Sequence, residues 1–269
     1  MTIPLAAALR AARVYDLEQQ RFHGMPIHRA HPAGYFYGLQ SRHRDTYRHA
    51  GYGPRSTASG VLTMTEHSGT HLDALCHQAS ELRLFGGIAT DTAETEAGFT
   101  QLGVETVPPL LGRGVLLDVA GWKGSSALPP AYAISADELV GCAAAQGVEV
   151  HQGDVLLVRT GFGPLWHDGA AYLRAAGVGK SGTLWAAEQG VVAVGADNIA
   201  WDAPDERDPE TGATLFGHLY LIPQKGIYIM ENLALEELAR DRRYEFAFIG
   251  IPLKLQGATG SPLRPLALA

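Results

Sequence analysis

The chain has 269 residues, of which 46% are hydrophobic and 18% are charged, and its formal net charge is -7. This apolar content can bury a sizeable core, so we predict a single domain over residues 1–269. The acidic balance argues against proteins that bind nucleic acid or an anionic membrane surface, and it favours a small-molecule partner. No stretch of the sequence is long and apolar enough to span a bilayer.

Cysteine usage and the N-terminal sequence bear on the cellular compartment. Cys76 and Cys142 can form at most one disulfide, and neither belongs to a repeated Cys-x-x-Cys pattern. The apolar run at residues 3–9 follows no basic region and has no convincing cleavage site, so we do not expect export. Both features are typical of a reduced setting, and we predict a cytoplasmic location.

The first 50 residues are interpreted as an N-terminal arm or a pocket-forming extension. Aromatic side chains supply flat apolar surface and arginine pairs with carboxylates, so the arm is suited to wall a pocket for an aromatic or carboxylate-bearing substrate. Packing against a neighbouring subunit is an equally good interpretation, and both stay open. The residues concerned are Tyr35, Phe36, Tyr37, Arg42, His43, Arg44, Tyr47, Arg48 and His49.

The segment 67–77 contains three histidines and an aspartate at positions of the same parity. Imidazole and carboxylate ligands suit Zn, Mn, Fe and related divalent ions, and a ligand set without thiolate is typical of catalytic rather than structural metal sites. The four candidate metal ligands are His67, His71, Asp73 and His77.

Regular secondary structure does not bring these four side chains together. Successive helical residues are rotated by about 100°, which would swing Asp73 away from His71. In a straight strand, His67 and His71 would lie about 13 Å apart, too far for one ion. We therefore predict a bend near Gly69, where no Cβ restricts the turn, with His71 and Asp73 as an i, i+2 pair.

This segment resembles the His-x-Gly-Thr-His-x-Asp-x-Pro-x-His signature of the metal-dependent cyclase family, which includes bacterial kynurenine formamidases and isatin hydrolases. The chain departs from the signature at Leu75, which replaces a proline and so removes a rigid turn element. The resemblance implies a swivelling β/β/α fold, with mixed sheets that curl toward a barrel, and a homodimer or homotetramer. The matching residues are His67, Gly69, Thr70, His71, Asp73 and His77.

Downstream, short β-rich runs alternate with helical ones, which predicts an α/β protein. The capping box formed by Ser135 and Glu138 indicates a helix that ends near Gly147. Further helices are predicted from Ser181 or Thr183 to Gly190 and from Leu233 to Arg240. The predicted strands are 114–119, 155–159, 191–195 and 245–251.

His218 and Glu231 are the downstream candidates for the metal site. Alternating runs at 217–222 and 226–233 flank Pro223-Gln224-Lys225, which favours a hairpin with His218 and Glu231 near its open end. The resemblance implies that both complete a metal centre. His67, His71 and Asp73 would then bind the principal ion, and Asp73 would bridge to a second ion held by His77, His218 and Glu231. One or two ions, and Zn or Mn, remain open.

Four other polar or thiol residues are interpreted as structural. Cys76 has the opposite parity to its neighbouring candidate ligands, which favours a small buried residue. Asp118, Asp197 and Asp202 are predicted to cap turns or to pair with Arg159.

Such a centre predicts an enzyme that hydrolyses a small-molecule amide, lactam or ester. In the case of an amide, the bond cleaved would be a C–N bond other than a peptide bond. A divalent ion lowers the pKa of bound water from about 15.7 to about 7 and polarises a carbonyl. His77 or His218, where not ligated, is suited to general acid–base catalysis. The alternatives are a metal-dependent lyase or cyclase and, less favoured, a non-catalytic metal-stabilised binding protein. No organic cofactor site is predicted.

Overall fold

The computed structural model describes residues 4–32 and 34–269, without the side chains of residues 4, 5, 49 and 52. The helices are α1 Pro4–Ala11, α2 His43–Thr46, α3 His49–Tyr52, α4 Thr90–Ala93, α5 Val119–Trp122, α6 Ala136–Gln146, α7 Gly169–Tyr172, α8 Lys180–Glu188, α9 Phe216–Tyr220 and α10 Glu236–Arg240. The strands are β1 Val14–Asp16, β2 Tyr35–Ser41, β3 Ser59–Met64, β4 His71–Asp73, β5 Glu94–Thr95, β6 Gly98–Phe99, β7 Leu110–Asp118, β8 Ala133–Ile134, β9 Val155–Arg159, β10 Gly177–Val178, β11 Ala193–Ala196, β12 Tyr228–Glu231, β13 Glu245–Gly250, β14 Gly260–Pro262 and β15 Leu266–Leu268.

Nine of the described strands form one mixed sheet in the order β1-β15-β13-β7-β9-β11-β12-β4-β14. The central strands β7, β9, β11 and β12 are parallel, whereas β4 pairs antiparallel with both β12 and β14. The sheet curls into an open half-barrel. The expected α/β fold with a mixed, curling sheet is therefore confirmed.

The central strands are covered on both faces. Val115 and Leu117 of β7 pack into one hydrophobic cluster with Leu139 of α6, whereas Leu116 packs into a second cluster that includes Leu238 of α10. Strands buried on both faces carry nearly continuous apolar runs. This explains why the sequences of these strands show no clear alternation of apolar and polar residues.

The strand and helix predictions with strong local signals are confirmed. The four predicted strands correspond to β7, β9, β11 and β13, and helix α6 begins at the Ser135–Glu138 capping box and ends at Gly147. The other two predicted helices correspond to α8 and α10, although α10 begins three residues later than predicted, at Glu236.

The hairpin predicted around Pro223-Gln224-Lys225 is wrong. His218 lies in helix α9, which continues into a π-helix at Leu221–Lys225. Strand β12 has β11 on one side and β4 on the other, so neither edge is free to pair with residues 217–222.

Strand β2 of the N-terminal arm pairs antiparallel with β3, which follows the arm, and the two form a hairpin separate from the main sheet. Phe36 and Tyr37 are 51% and 58% exposed, so the described residues of the chain do not cover them. The side chain of His49 and residues 1–3 of the N-terminal segment lie outside the described residues. Among the residues that are described, no helix is long and apolar enough to cross a membrane.

Candidate metal centre

The predicted bend at Gly69 is present and places the first candidate ligands. Gly69 has a φ of +64°, in the left-handed region that glycine adopts without strain. The chain then enters β4, whose His71 lies opposite Glu231 of β12 in the sheet register. His71 Nε2 is 3.3 Å from Glu231 Oε2 and 3.4 Å from Asp73 Oδ1. The cluster therefore lies where the carboxyl end of β12 meets the start of β4.

Hydrogen bonds between the bend and the end of β12 hold this geometry. Thr70 Oγ1 donates to the carbonyl of Asn232 over 2.6 Å, and Asn232 Nδ2 donates to the carbonyl of Gly69 over 2.9 Å. Asn232 itself has a φ of +57°. Thr70 thus stabilises the bend.

The orientation of His71 is set by the same bend. Its Nδ1 lies 2.8 Å from the carbonyl oxygen of Gly69, which can only accept a hydrogen bond. Nδ1 therefore carries the proton, and the lone pair of a neutral ring lies on Nε2, which faces Asp73 and Glu231.

His67 is oriented by two successive hydrogen bonds, from its ring to Thr259 and from Thr259 to Glu66. The Thr259 hydroxyl donates to the Glu66 carboxylate and lies 2.7 Å from His67 Nε2, so it accepts the proton of that nitrogen. His67 Nδ1 then faces Asp73 Oδ1 at 2.8 Å. No sequence signal pointed to Thr259, because it lies 192 positions from His67.

His218 and Glu231 do come together, by a different route from the predicted hairpin. His218 Nε2 lies 3.1 Å from Glu231 Oε1 and 3.5 Å from Asp73 Oδ2. Its Nδ1 lies 2.8 Å from Asp202 Oδ2, and Asp202 also accepts the backbone N–H groups of Gly217 and His218. A Cβ on Gly217 would lie 2.8 Å from Asp202 Oδ1, so this approach requires glycine.

The other structural interpretations are confirmed, with one addition. Asp118 caps α5 and pairs with Arg159, Asp197 accepts the N–H groups of Thr160 and Gly161, and Cys76 is buried as a free thiol. Asp202 caps the start of α9, but it also orients His218, a role that the sequence interpretation missed. Its place just beyond β11 was the available signal, because carboxyl ends of parallel strands gather functional groups.

The histidines around Asp73 favour its ionised form, against the effect of burial. Burial alone raises its pKa, but the imidazoles around it, with His77 and His67 first among them, hold the pKa well below its usual range. Its Oδ2 is buried and accepts no hydrogen bond within the described part of the chain. Burial lowers the pKa of His71 and His218, yet Asp73 raises the first above its ordinary value and Asp202 raises the second.

Two groups of side chains that include Asp73 have donor atoms within 4.8 Å of one another: His67, His71 and Asp73, and Asp73, His77 and His218. Asp73 belongs to both. An ionised carboxylate has two oxygens that can accept, and imidazoles oriented in this way present lone pairs once an ion displaces their protons. The donor set contains nitrogen and oxygen but no thiolate, so it fits a divalent ion of the Zn or Mn type.

A cavity of about 120 Å³ opens onto this cluster. The predicted pocket-forming residues of the arm, Tyr35 to Tyr37 and Arg42 to Arg48, do not line it. It is closed instead by residues 28–31, with His28 and His31 facing the cluster. A second cavity of about 310 Å³ adjoins it through His28, Ile199, Ala200 and Leu215.

The family model described as "Putative cyclase" matches residues 10–203 of this sequence. The chain belongs to this family. A solved structure described as a novel cyclase is 30% identical, with a TM-score of 0.85, and the match covers 100% of this chain and 92% of that one. The resemblance noted in the sequence is therefore confirmed. No curated protein matches the sequence.

Two further structures share the fold at lower identity. Isatin hydrolase A from Labrenzia aggregata, bound to benzyl benzoate, is 22% identical with a TM-score of 0.72, covering 98% of this chain and 97% of its own. A potential metal-dependent hydrolase with cyclase activity is 19% identical with a TM-score of 0.60, covering 96% of this chain and 100% of its own. At identities below 25%, these two likenesses show a shared fold.

Proposed function

We propose that this protein hydrolyses an amide, lactam or ester of a small molecule at a divalent-metal centre. The observation that carries the proposal is the cluster of oriented imidazoles around the buried Asp73 carboxylate, which opens onto a cavity. His67, His71 and Asp73 would hold the principal ion, and Asp73, His77, His218 and Glu231 would hold a second. Such an ion supplies Lewis acidity and lowers the pKa of a water molecule toward neutrality.

We assign different roles to His77 and His218. Asp202 lies at hydrogen-bond distance from Nδ1 of His218. The other ring nitrogen of His218, Nε2, faces Asp73 and Glu231, the orientation needed to bind an ion between them. Nε2 of His77 lies 3.3 Å from the side-chain nitrogen of Gln78 and has no carboxylate partner of this kind. In a centre with one ion held by His67, His71 and Asp73, His77 would stay unligated, which makes it the acid–base candidate.

The adjoining cavity supports an apolar group on the substrate. Its lining includes Ile27, Leu173, Ile199 and Leu215, and Arg29 lies at its exposed rim. We infer that the reactive carbonyl lies at Asp73 while an aromatic or aliphatic group fills this cavity. Arg29 would then face a carboxylate on the substrate, if one is present.

The substitution His71→Ala tests the metal centre. Because His71 Nε2 faces both Asp73 and Glu231, its loss should abolish metal binding and turnover while the fold is retained. Metal content is measured by elemental analysis, and turnover is measured on N-formyl aromatic amines, lactams and lactones with and without chelator. His151→Ala, at an exposed position, is the control. Full turnover by metal-free protein would contradict the proposal.

The products of this screen distinguish the alternatives. A product that has gained water supports the hydrolase, whereas water loss or ring closure supports the lyase or cyclase. Metal-loaded protein that turns over none of these compounds favours a metal-stabilised binding protein.

We also infer a homo-oligomer assembled through the hairpin of β2 and β3. Apolar residues on both strands are about half exposed, and a two-stranded hairpin is marginally stable by itself in water. Its connecting segment carries Arg42, Arg44 and Arg48 in a chain of net charge -7, so a second copy offers complementary charge. A reduced cytoplasmic setting is supported by the free, buried thiols of Cys76 and Cys142.

A further inference from the structure

The turn at residues 28–31 brings an additional histidine to the metal centre. Met25 is buried and anchors the segment, and the His31 N–H donates to the carbonyl of His28 over 2.9 Å. The His31 ring stacks on His67 with a centroid distance of 4.6 Å and an interplanar angle of 25°. It lies 6.0 Å from the His77 ring. His31 therefore lies over the two histidines at the entrance of the cluster.

His31, His67 and His77 form a third group whose donor atoms lie within 4.8 Å of one another. The two groups that contain Asp73 have their donor atoms within the same distance of one another. The third group differs from them in composition, because all three of its donors are imidazole nitrogens.

The third group cannot be occupied together with the other two. A neutral imidazole has one lone pair available for an ion. His67 can therefore bind an ion either with Asp73 or in the third, all-imidazole group, and the same holds for His77. Asp73 is not limited in this way, because its two oxygens can serve both of its groups at once. Occupation of the all-imidazole group thus removes a ligand from each carboxylate-containing group.

The two arrangements also prefer different ions. Carboxylate ligands suit Mn²⁺, whereas imidazole suits Cu²⁺, Ni²⁺ and Zn²⁺. We propose that His31, His67 and His77 form an alternative, all-imidazole site that binds Cu²⁺-like ions and withdraws His67 and His77 from the Asp73 centre. The inference rests on the metal-binding part of the proposed function, but not on hydrolysis.

The experiment uses the full chain and Cu²⁺ as the probe, with electron paramagnetic resonance to count coordinated nitrogens. His31→Phe keeps a ring to stack on His67 and removes both nitrogens. We expect the Cu²⁺ signal of this variant to lose one imidazole nitrogen, and its Cu²⁺ affinity to fall at least about tenfold. Mn²⁺ binding should stay at the wild-type level.

Controls separate the possible failures. His151→Gln corrects for binding to exposed histidines, and His31→Gln replaces the phenylalanine variant if circular dichroism shows that the latter is unfolded. An unchanged Cu²⁺ signal in a folded His31 variant would overturn the inference, as would parallel loss of Mn²⁺ and Cu²⁺. Wild-type protein that binds Cu²⁺ through His31 but binds no Mn²⁺ would support this site and count against the Asp73 centre.

Discussion

Each histidine that turns a nitrogen toward Asp73 or Glu231 has its other nitrogen held by a hydrogen bond. The partners are the carbonyl of Gly69 for His71, the hydroxyl of Thr259 for His67 and the carboxylate of Asp202 for His218. Partners of this kind fix the tautomer and ring orientation of a ligand before an ion arrives. The candidate ligands were predicted from the sequence, but two of these three partners come from distant segments.

Asp202→Asn tests the importance of such a partner. The amide keeps the shape and the acceptor oxygen of Asp202 but removes the charge that raises the pKa of His218. We expect metal affinity to fall by about 10–100-fold with the fold intact. Titration with Mn²⁺ measures this, and Asp137→Asn on the exposed surface of α6 is the control. Equal affinity in both variants would show that the Asp202 charge has no role at the centre.

The carboxyl of Glu236, whose side chain is 30% exposed, lies outside the candidate metal centre. Burial and the nearby Asp197 raise the pKa of Glu236 from 4.5 to about 7. The folded state therefore holds this proton more tightly than the unfolded state, and the resulting stability is lost as pH rises toward and through 7. When the pH is raised from 4.5 to 8, the free energy of unfolding of Glu236→Gln should rise by about 1–2 kcal/mol relative to that of wild type.

Urea unfolding of both proteins at these two pH values measures the difference. Glu237→Gln provides the matched control, because Glu237 is the next residue and its side chain is 57% exposed. A gain of equal size in the control would attribute the effect to general surface charge and not to Glu236.

At the scale of elements, a helix with a strong local signal was predicted correctly, whereas a hairpin that depended on strand pairing was not. Helix α6 was predicted closely because its capping box joins residues three positions apart, Ser135 and Glu138. The hairpin at 217–233 was predicted wrongly because the edges of β12 are taken by β4 and β11, which lie far away in the sequence. Local alternation cannot report which edges are already paired.

The substitution Ser135→Ala tests the cap of α6. The Ser135 hydroxyl accepts the Glu138 N–H, so its loss should lower the free energy of unfolding by about 1 kcal/mol. Metal binding should not change, because α6 contributes no residue to the centre. Denaturant unfolding and Mn²⁺ titration measure the two properties. Ser135→Thr should restore most of the stability, and failure of this rescue would indicate that the hydroxyl is not the cause.

At the scale of the whole molecule, the hairpin of β2 and β3 is an apolar element that the described residues leave uncovered. Phe36, Tyr37 and Val61 are each more than half exposed, on an element with no third strand in the described chain. Exposed apolar surface of this kind marks an interaction site. The proposed partner is a second copy of the chain.

Light scattering coupled to size exclusion tests this assembly. We expect wild-type protein to have the mass of a dimer or tetramer, and the double substitution Phe36→Ser, Tyr37→Ser to shift it to a smaller species. Leu82→Asn is the control, because Leu82 is 73% exposed on another part of the surface. A monomeric wild-type protein would refute the role given to the hairpin.

The sequence by itself determined the α/β class, the main strands, helix α6 and the candidate ligands at 67–77. These depend on short-range periodicity and spacing, which a linear sequence records. Only the tertiary structure decided that His218 comes from a helix, that Asp202 and Thr259 orient His218 and His67, and that His31 lies over the candidate centre. Those contacts join segments brought together by sheet pairing and core packing, and no local pattern encodes them.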